Sequence, residues 1–278
     1  LSKRWGKDVW GPGAKRQRTS EANWRKPLQW NKQAQKEGKR YKVFCASMAD
    51  VFEDNPQLVE WRADLFDLIR DTPYLDWLIL TKRPDYARYL FSMWPHFLLP
   101  HIWIGTSVES QEWADKRIPE LLKIPAAVRF LSVEPLLGLV DLSNWLLARP
   151  DLDYTTSKYP YHNINWVIVG GESGPNARPM HPDWACQLRD QCLNSDVPFF
   201  VKQWGNWLPG TFWNGYAEWQ DGTYNPPPTR HHKFDDWWVA KNVGKHAAGH
   251  LLDGIEWNQF PKVTVPVVTS QPIQGVLL

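Results

Sequence analysis

From Tyr41 onward the chain repeats one rhythm. Short apolar runs alternate with longer segments in which apolar residues recur every three or four positions. The runs are Val43-Phe44-Cys45-Ala46, Trp77-Leu78-Ile79-Leu80, Ile102-Trp103-Ile104, Val128-Arg129-Phe130-Leu131, Trp166-Val167-Ile168-Val169 and Phe199-Phe200-Val201. Near-continuous apolar runs of this length suit strands of a parallel sheet covered on both faces. Between them, Asn55-Pro56 opens a helical pattern carried by Leu58, Trp61, Leu65, Phe66 and Ile69, with cap and first-turn proline in order. Further helical segments run over 84–93, 111–123 and 182–194. Strand–helix alternation implies right-handed βαβ units. The pattern predicts an α/β fold, a partial (β/α) barrel of about six parallel strands at 43–46, 77–80, 102–105, 128–132, 166–169 and 199–202.

Outside that block the rhythm is missing. Residues 1–40 show no clear period and carry Gly11-Pro12-Gly13 as a turn, so they read as an irregular arm with one short helix around Ser20–Trp24. After Trp207 come Pro226-Pro227-Pro228, His231-His232, Trp237-Trp238 and scattered glycines, which read as an irregular extension over 208–262 packed on the barrel of 41–207. The stretch 263–278 is an apolar tail of uncertain order.

Composition changes the picture in three places. The 19 tryptophans, spread along 278 residues, argue for a packed globular chain rather than a disordered one. No window approaches the ~18 apolar residues of a membrane span, and the basic start lacks the apolar run of a signal peptide. Only Cys45, Cys186 and Cys192 are present, an odd and sparse set that speaks for a reducing, cytoplasmic setting and for buried thiols. Net charge is +2, but residues 1–42 hold thirteen Lys/Arg against three Asp/Glu, while the remainder is acidic. Such asymmetry points to a nucleic-acid or other polyanionic partner, with Lys15, Arg16 and Arg18 as contacts and tryptophans interleaved among the cations.

The chemistry-bearing residues follow the strands. Ser47-Met48-Ala49-Asp50 follows the first, Thr81-Lys82-Arg83 the second, Gly105-Thr106-Ser107-Val108-Glu109 the third, Ser132-Val133-Glu134 the fourth, Gly170-Gly171-Glu172 the fifth and Lys202-Gln203 the sixth. In parallel α/β architectures that edge is where ligands bind. Glu109 and Glu134 are candidates for general acid or base. Lys82 and Arg83 suit a carboxylate or phosphate, and Lys82 and Lys202 join the two carboxylates as catalytic candidates. Ser47, Gly170, Gly171 and Glu172 are candidates for holding a cofactor, since two glycines let backbone approach a ligand and the carboxylate accepts from ammonium or ribose groups. Paired charges across a rim are the competing reading for each. His231-His232 lacks the further ligands of a metal site, so no metal ligands are assigned.

These blocks resemble a known family. Phe44 to Phe52, Leu80 to Pro84, Phe130 to Gly138, Val169 to Gly174 with Ala177-Arg178-Pro179-Met180, Phe199 to Gly205, and Leu252-Asp253-Gly254 with Trp257 and Pro261 appear in order. They are similar to a family of unknown function found in phages and prophages, the three-Cys-motif proteins, over residues 10–261. The resemblance implies a radical-SAM-like enzyme whose cofactors are S-adenosylmethionine and a four-iron four-sulfur cluster held by three cysteines after the first strand. It further implies that Gly170, Gly171, Glu172 and the polar strand ends face cofactor or substrate. This sequence departs from the pattern where the cysteines belong, just upstream of Leu1, and Val133 stands where relatives often carry Cys. A segment before Leu1, or a derivative without the cluster, is expected. The leading expectation is an enzyme acting on a nucleic acid or nucleotide. A non-catalytic nucleic-acid-binding protein and a phage accessory scaffold are the alternatives.

Overall fold

A computed structural model describes residues 14–45, 49–94, 99–146 and 163–263. Its centre is a six-stranded, all-parallel sheet in the order β1 (Tyr41–Cys45), β2 (Leu75–Thr81), β3 (Ile102–Ser107), β4 (Val128–Val133), β5 (Trp166–Gly170) and β6 (Phe199–Gln203). Every predicted strand is present and every neighbour pairs in parallel. The interior strands β3, β4 and β5 are buried along their whole length, as their unbroken apolar runs require, whereas edge strand β1 alternates. Helices α2 (Leu58–Arg70), α3 (Pro84–Met93), α4 (Gln111–Leu122) and α6 (Pro182–Asn194) occupy the predicted connections, with a short α5 (Ser143–Leu146) after β4.

The sheet curls. Phe44 on β1 and Phe130 on β4 lie three strands apart, which is roughly 14 Å across a flat sheet. Their ring centroids are 6.3 Å apart, so the concave face folds inward into a half-barrel. Leu78, Trp103, Val128, Phe130, Trp166 and Ile168 fill this concavity, and a larger core joins the convex face to the helices. The Phe130 ring lies flat over Gly105, where a Cβ would come within 2.3 Å of it. The segment after Trp257 closes the amino end: Phe260 packs on Trp166 at 4.9 Å, and Lys42 sits 4.7 Å above the Phe260 ring. The carboxyl end stays polar.

Two regions expected to be irregular are ordered. In the arm, α1 (Glu21–Glu37) runs for 17 residues, capped by Ser20 and stopped by Gly38 at φ 63. Its interior Pro27 and its run of polar residues hide the helix from a hydrophobic-period reading. Pro27 and Ala34 form the narrow buried stripe, and Asn31 accepts from the Tyr74 backbone N–H at 2.8 Å. In the extension, β7 (Trp207–Trp213), β8 (Tyr216–Trp219), β9 (Tyr224–Asn225), β10 (His231–Lys233) and β11 (Trp238–Asn242) make an antiparallel sheet in the order β10-β11-β7-β8-β9. A short helix α7 (Lys245–Ala248) and a hairpin, β12 (Leu251–Leu252) with β13 (Ile255–Glu256), follow. The strands are short, and aromatics occupy both faces, so no period-2 alternation announces them. The expected tail falls outside the described residues from 264 onward. Among the described residues no helix is long and apolar enough to cross a membrane.

Candidate functional site

Parallel strands deliver their following residues to one edge, and charged side chains gather there in four groups. Beyond β1, Asp50 accepts from Thr81 Oγ1 at 2.7 Å, the Lys82 backbone N–H at 3.0 Å and Arg83 Nη1 at 2.9 Å, tying the first two strand ends together. Beyond β3, the buried Glu109 accepts from Lys82 Nζ and from Arg117 Nη1, the latter at 2.8 Å. Arg117 comes from α4, stacks on Trp113 at 4.0 Å and also donates to the Ser107 carbonyl. This group leans to the outer rim, beside a cavity of about 410 Å³ between α3 and α4. The cations lining it are already engaged: Arg88 with Glu120, Lys116 with Glu112 and Arg117 with Glu109.

The third group is on the inner side. Gly170 shares its side of β5 with Trp166 and Ile168, which belong to the concave cluster. A Cβ on Gly170 would lie 3.1 Å from the Glu134 side chain, so the carboxylate of Glu134 rests over the concave face. Lys202 Nζ and Gln203 Nε2 each donate to Glu134 at 2.7 Å. The other amide atom of Gln203, Oε1, is buried with no donor opposite it. Below this group lie Phe130, Ile168 and Phe200. The inner mouth is therefore an apolar floor under a carboxylate, a lysine and an unmatched acceptor.

The fourth group faces away. Glu172 is held by Arg178 through Nε at 2.8 Å, Nη2 at 3.0 Å and the backbone N–H at 2.8 Å. That guanidinium holds the Glu172 carboxyl below the usual carboxylate range. The neighbouring glycines have a structural cause. A Cβ on Gly171 would stand 2.1 Å from the Trp204 carbonyl oxygen, so Gly171 permits the ends of β5 and β6 to close on each other. The close approach expected of Gly171 is to the chain's own backbone.

The structure thus brings Lys82 to Glu109 and Glu134 to Lys202, and turns Glu172 to Arg178. Ser47 lies outside the described residues. Lys15 is exposed, whereas Arg16 and Arg18 turn inward to α2 and the segment before it: Arg16 Nε donates to Glu53 at 2.7 Å, and Arg18 pairs with Asp64. Sequence reasoning placed Asp50 and Gln203 among the strand-end residues without singling them out, and missed Arg117 and Arg178 as members of these groups. Asp50 carries the same signal as Glu109, an acid just past a strand. Arg117 and Arg178 leave no such mark, because their pairing is tertiary.

The thiols do not assemble. Cys45 ends β1, while Cys186 and Cys192 lie six apart on α6. Burial pushes each up to about 12, leaving all three protonated near neutral pH. Among the described residues no group of three or more His, Cys, Asp or Glu side chains is placed to hold a metal ion. His231 bonds the Pro228 carbonyl and His232 packs on Trp207 and Phe234. The described donor set does not fit an iron–sulfur cluster. No curated protein and no solved structure matches this chain. Residues 2–261 match one family throughout, and the chain belongs to it: the DUF5131 family, described as a protein of unknown function.

Proposed function

We propose that this chain is the barrel of a phage-borne, radical-SAM-like enzyme that takes S-adenosylmethionine at the inner mouth and acts on a nucleic acid or nucleotide. The observation that carries the reading is the Glu134, Lys202 and Gln203 group above the apolar floor. Its donor set suits the methionine end of that cofactor. Lys202 answers a carboxylate. Glu134 and the unmatched Gln203 Oε1 accept from an ammonium group. Phe130, Ile168 and Phe200 offer a surface for an apolar or aromatic body. S-adenosylmethionine would supply radical chemistry only with an electron from a cluster that the described residues do not hold; the residues of this chain would contribute binding, orientation and exclusion of water. No set of cluster ligands stands among the described residues. On this reading Lys82 and Glu109, paired on the outer rim with Arg117 holding the Glu109 carboxylate, would meet substrate rather than cofactor.

Calorimetry of the full chain against S-adenosylmethionine tests this. Binding should be measurable, and Glu134→Gln should weaken it about tenfold or more, the equivalent of one charge-assisted contact of ~1.4 kcal/mol. Glu172→Ala should weaken it less, because that carboxylate is spent on Arg178. No binding by the parent, or unchanged affinity in Glu134→Gln, removes the cofactor assignment and leaves the barrel alone.

A further inference from the structure

Cations on most helices of this protein are matched. Arg70 pairs with Asp67, Lys116 with Glu112, Lys123 and Arg88 with Glu120, Arg189 with Asp190 and Asp253. In the segment before α1, Arg16 and Arg18 are matched as well. Helix α1 breaks this habit. Arg25, Lys26, Lys32 and Lys36 are all exposed and have no carboxylate partner among the described residues. The helix's own Glu37 is taken by Tyr41 and Gln33.

The placement is regular. At 3.6 residues per turn, Arg25, Lys32 and Lys36 fall within about 20° of one line, roughly opposite the buried stripe of Pro27 and Ala34. Along that line the rise is ~10 Å and then ~6 Å, so the cations are spread over three turns. Like charges at i and i+4, as at Lys32 and Lys36, destabilise a helix unless something answers them. Two apolar side chains are exposed on the flanks: Leu28, 40% exposed, about 60° to one side of the line, and Trp30, 39% exposed, on the other side next to Lys26, between that cation and the buried stripe. The helix packs on β1 and β2, and only three residues separate its end from β1, so it runs antiparallel to the strands. Its amino-terminal half, with Arg25 and Lys26, therefore comes to the same edge of the sheet as the polar mouth.

We infer that the exposed face of α1 is a binding surface for single-stranded nucleic acid, with Arg25, Lys26, Lys32 and Lys36 on phosphates and Trp30 and Leu28 against unstacked bases. A polyanion is the partner whose charge complements an unmatched cationic line, and the exposed Trp30 ring next to Lys26 favours a strand whose bases are free. The surface is distinct from Arg16 and Arg18, which hold the arm to Glu53 and Asp64. It is independent of whether the mouth takes S-adenosylmethionine.

The test is fluorescence anisotropy of a labelled 30-nucleotide oligo(dT) with the full chain, at a series of KCl concentrations. Four phosphate contacts on a single strand give a slope of about −3 in log affinity against log salt, so the parent should lose roughly 50-fold between 50 and 200 mM. The variant Arg25→Gln/Lys26→Gln/Lys32→Gln/Lys36→Gln keeps good helix formers and should lose most of the affinity and most of that slope, with circular dichroism unchanged. Trp30→Ala should weaken oligo(dT) binding several-fold without changing the slope. Arg16→Gln/Arg18→Gln should bind oligo(dT) as the parent does. The proposal is overturned if the parent binds no oligonucleotide at 50 mM salt or if the fourfold variant keeps the parent's affinity and slope. It is equally overturned if a duplex binds as tightly with Trp30→Ala neutral, or if only vesicles of anionic lipid bind.

Discussion

The half-barrel and the outer ends of the small antiparallel sheet beside it use aromatic residues in opposite ways. In the barrel, Trp103, Phe130 and Trp166 are buried in the curl and hold it shut, each ring pressed on the next: Trp103 to Trp166 at 6.1 Å, Phe130 to Trp166 at 5.9 Å. In the small sheet, Trp213 stacks on Trp237 at 5.4 Å and Tyr216 on Tyr224 at 5.3 Å, yet all four rings are exposed. The small sheet's packed side is supplied by other residues, Leu208, Ala217, Trp219 and Val239. The barrel depends on its aromatics for shape, whereas the outer ends of the small sheet carry theirs as surface. Abundance of tryptophan along a chain does not say which of these a given ring is doing.

Substitution separates the two. Phe130→Ala removes a fully buried ring from between Gly105, Phe44 and Trp166 and should cost about 3–5 kcal/mol, the range for a large aromatic removed from a core. Trp213→Ala leaves no cavity and loses one stacked pair, so about 1 kcal/mol is expected. Urea unfolding followed by circular dichroism measures both. Equal losses would show that the small sheet, too, is held by its exposed rings.

The same contrast decided what the sequence revealed. Strands buried on both faces must be apolar throughout, so β2 to β6 stand out as apolar runs, as does the run at β1, and the strand ends mark the polar edge. Helices α3 and α6 were visible at both ends, because Pro84 and Pro182 mark their starts and an apolar stripe marks their length. Of helix α1 only the start, around Ser20–Trp24, was visible and not its length, since its buried stripe is only Pro27 and Ala34 and most of its other positions are polar. The small sheet was not visible because its strands are short and Trp or Tyr stands on either face. Within the mouth, the residues were legible and their partners were not. Nothing local in the chain says that Glu172 turns to Arg178 rather than to a ligand, or that Arg16 and Arg18 are consumed by Glu53 and Asp64. Those choices are made by tertiary packing.

The seam between the two sheets gives the next test. Gly171 at the end of the barrel strand faces the Trp204 carbonyl, with a built Cβ at 2.1 Å, and backbone cannot give way as a side chain can. Gly171→Ala should therefore cost about 3 kcal/mol, the upper part of the range for overpacking. Gly138, past β4, has nothing within 4 Å of its built Cβ, and Gly138→Ala should be neutral or stabilising by about 0.4–1 kcal/mol. Melting curves on the two variants decide it. A mild effect at Gly171 would mean that the seam is looser than the barrel it joins.

The smallest effect expected is electrostatic and belongs to the same seam. The Glu172 carbonyl accepts from the Asn206 N–H at 3.0 Å, at the entry to the small sheet, while its carboxylate is held by Arg178. The Arg178 hydrogen bonds lower the folded-state pKa of Glu172 below its ordinary value of about 4.3. A depressed carboxylate adds stability that is fully present above the unfolded value and is lost as pH falls through the folded one. Because the Arg178 side chain is 59% exposed, screening limits the contribution to below about 1 kcal/mol. Glu172→Gln should accordingly be slightly less stable than the parent at pH 7, and the gap should close over the interval in which pH falls below the ordinary carboxylate value and through the lower folded one, as the parent's carboxylate takes its proton. Urea midpoints across that interval, at low and at high salt, report the difference. A gap that stays constant with pH would assign the loss to packing of the loop and would leave the ion pair with no part in joining the two sheets.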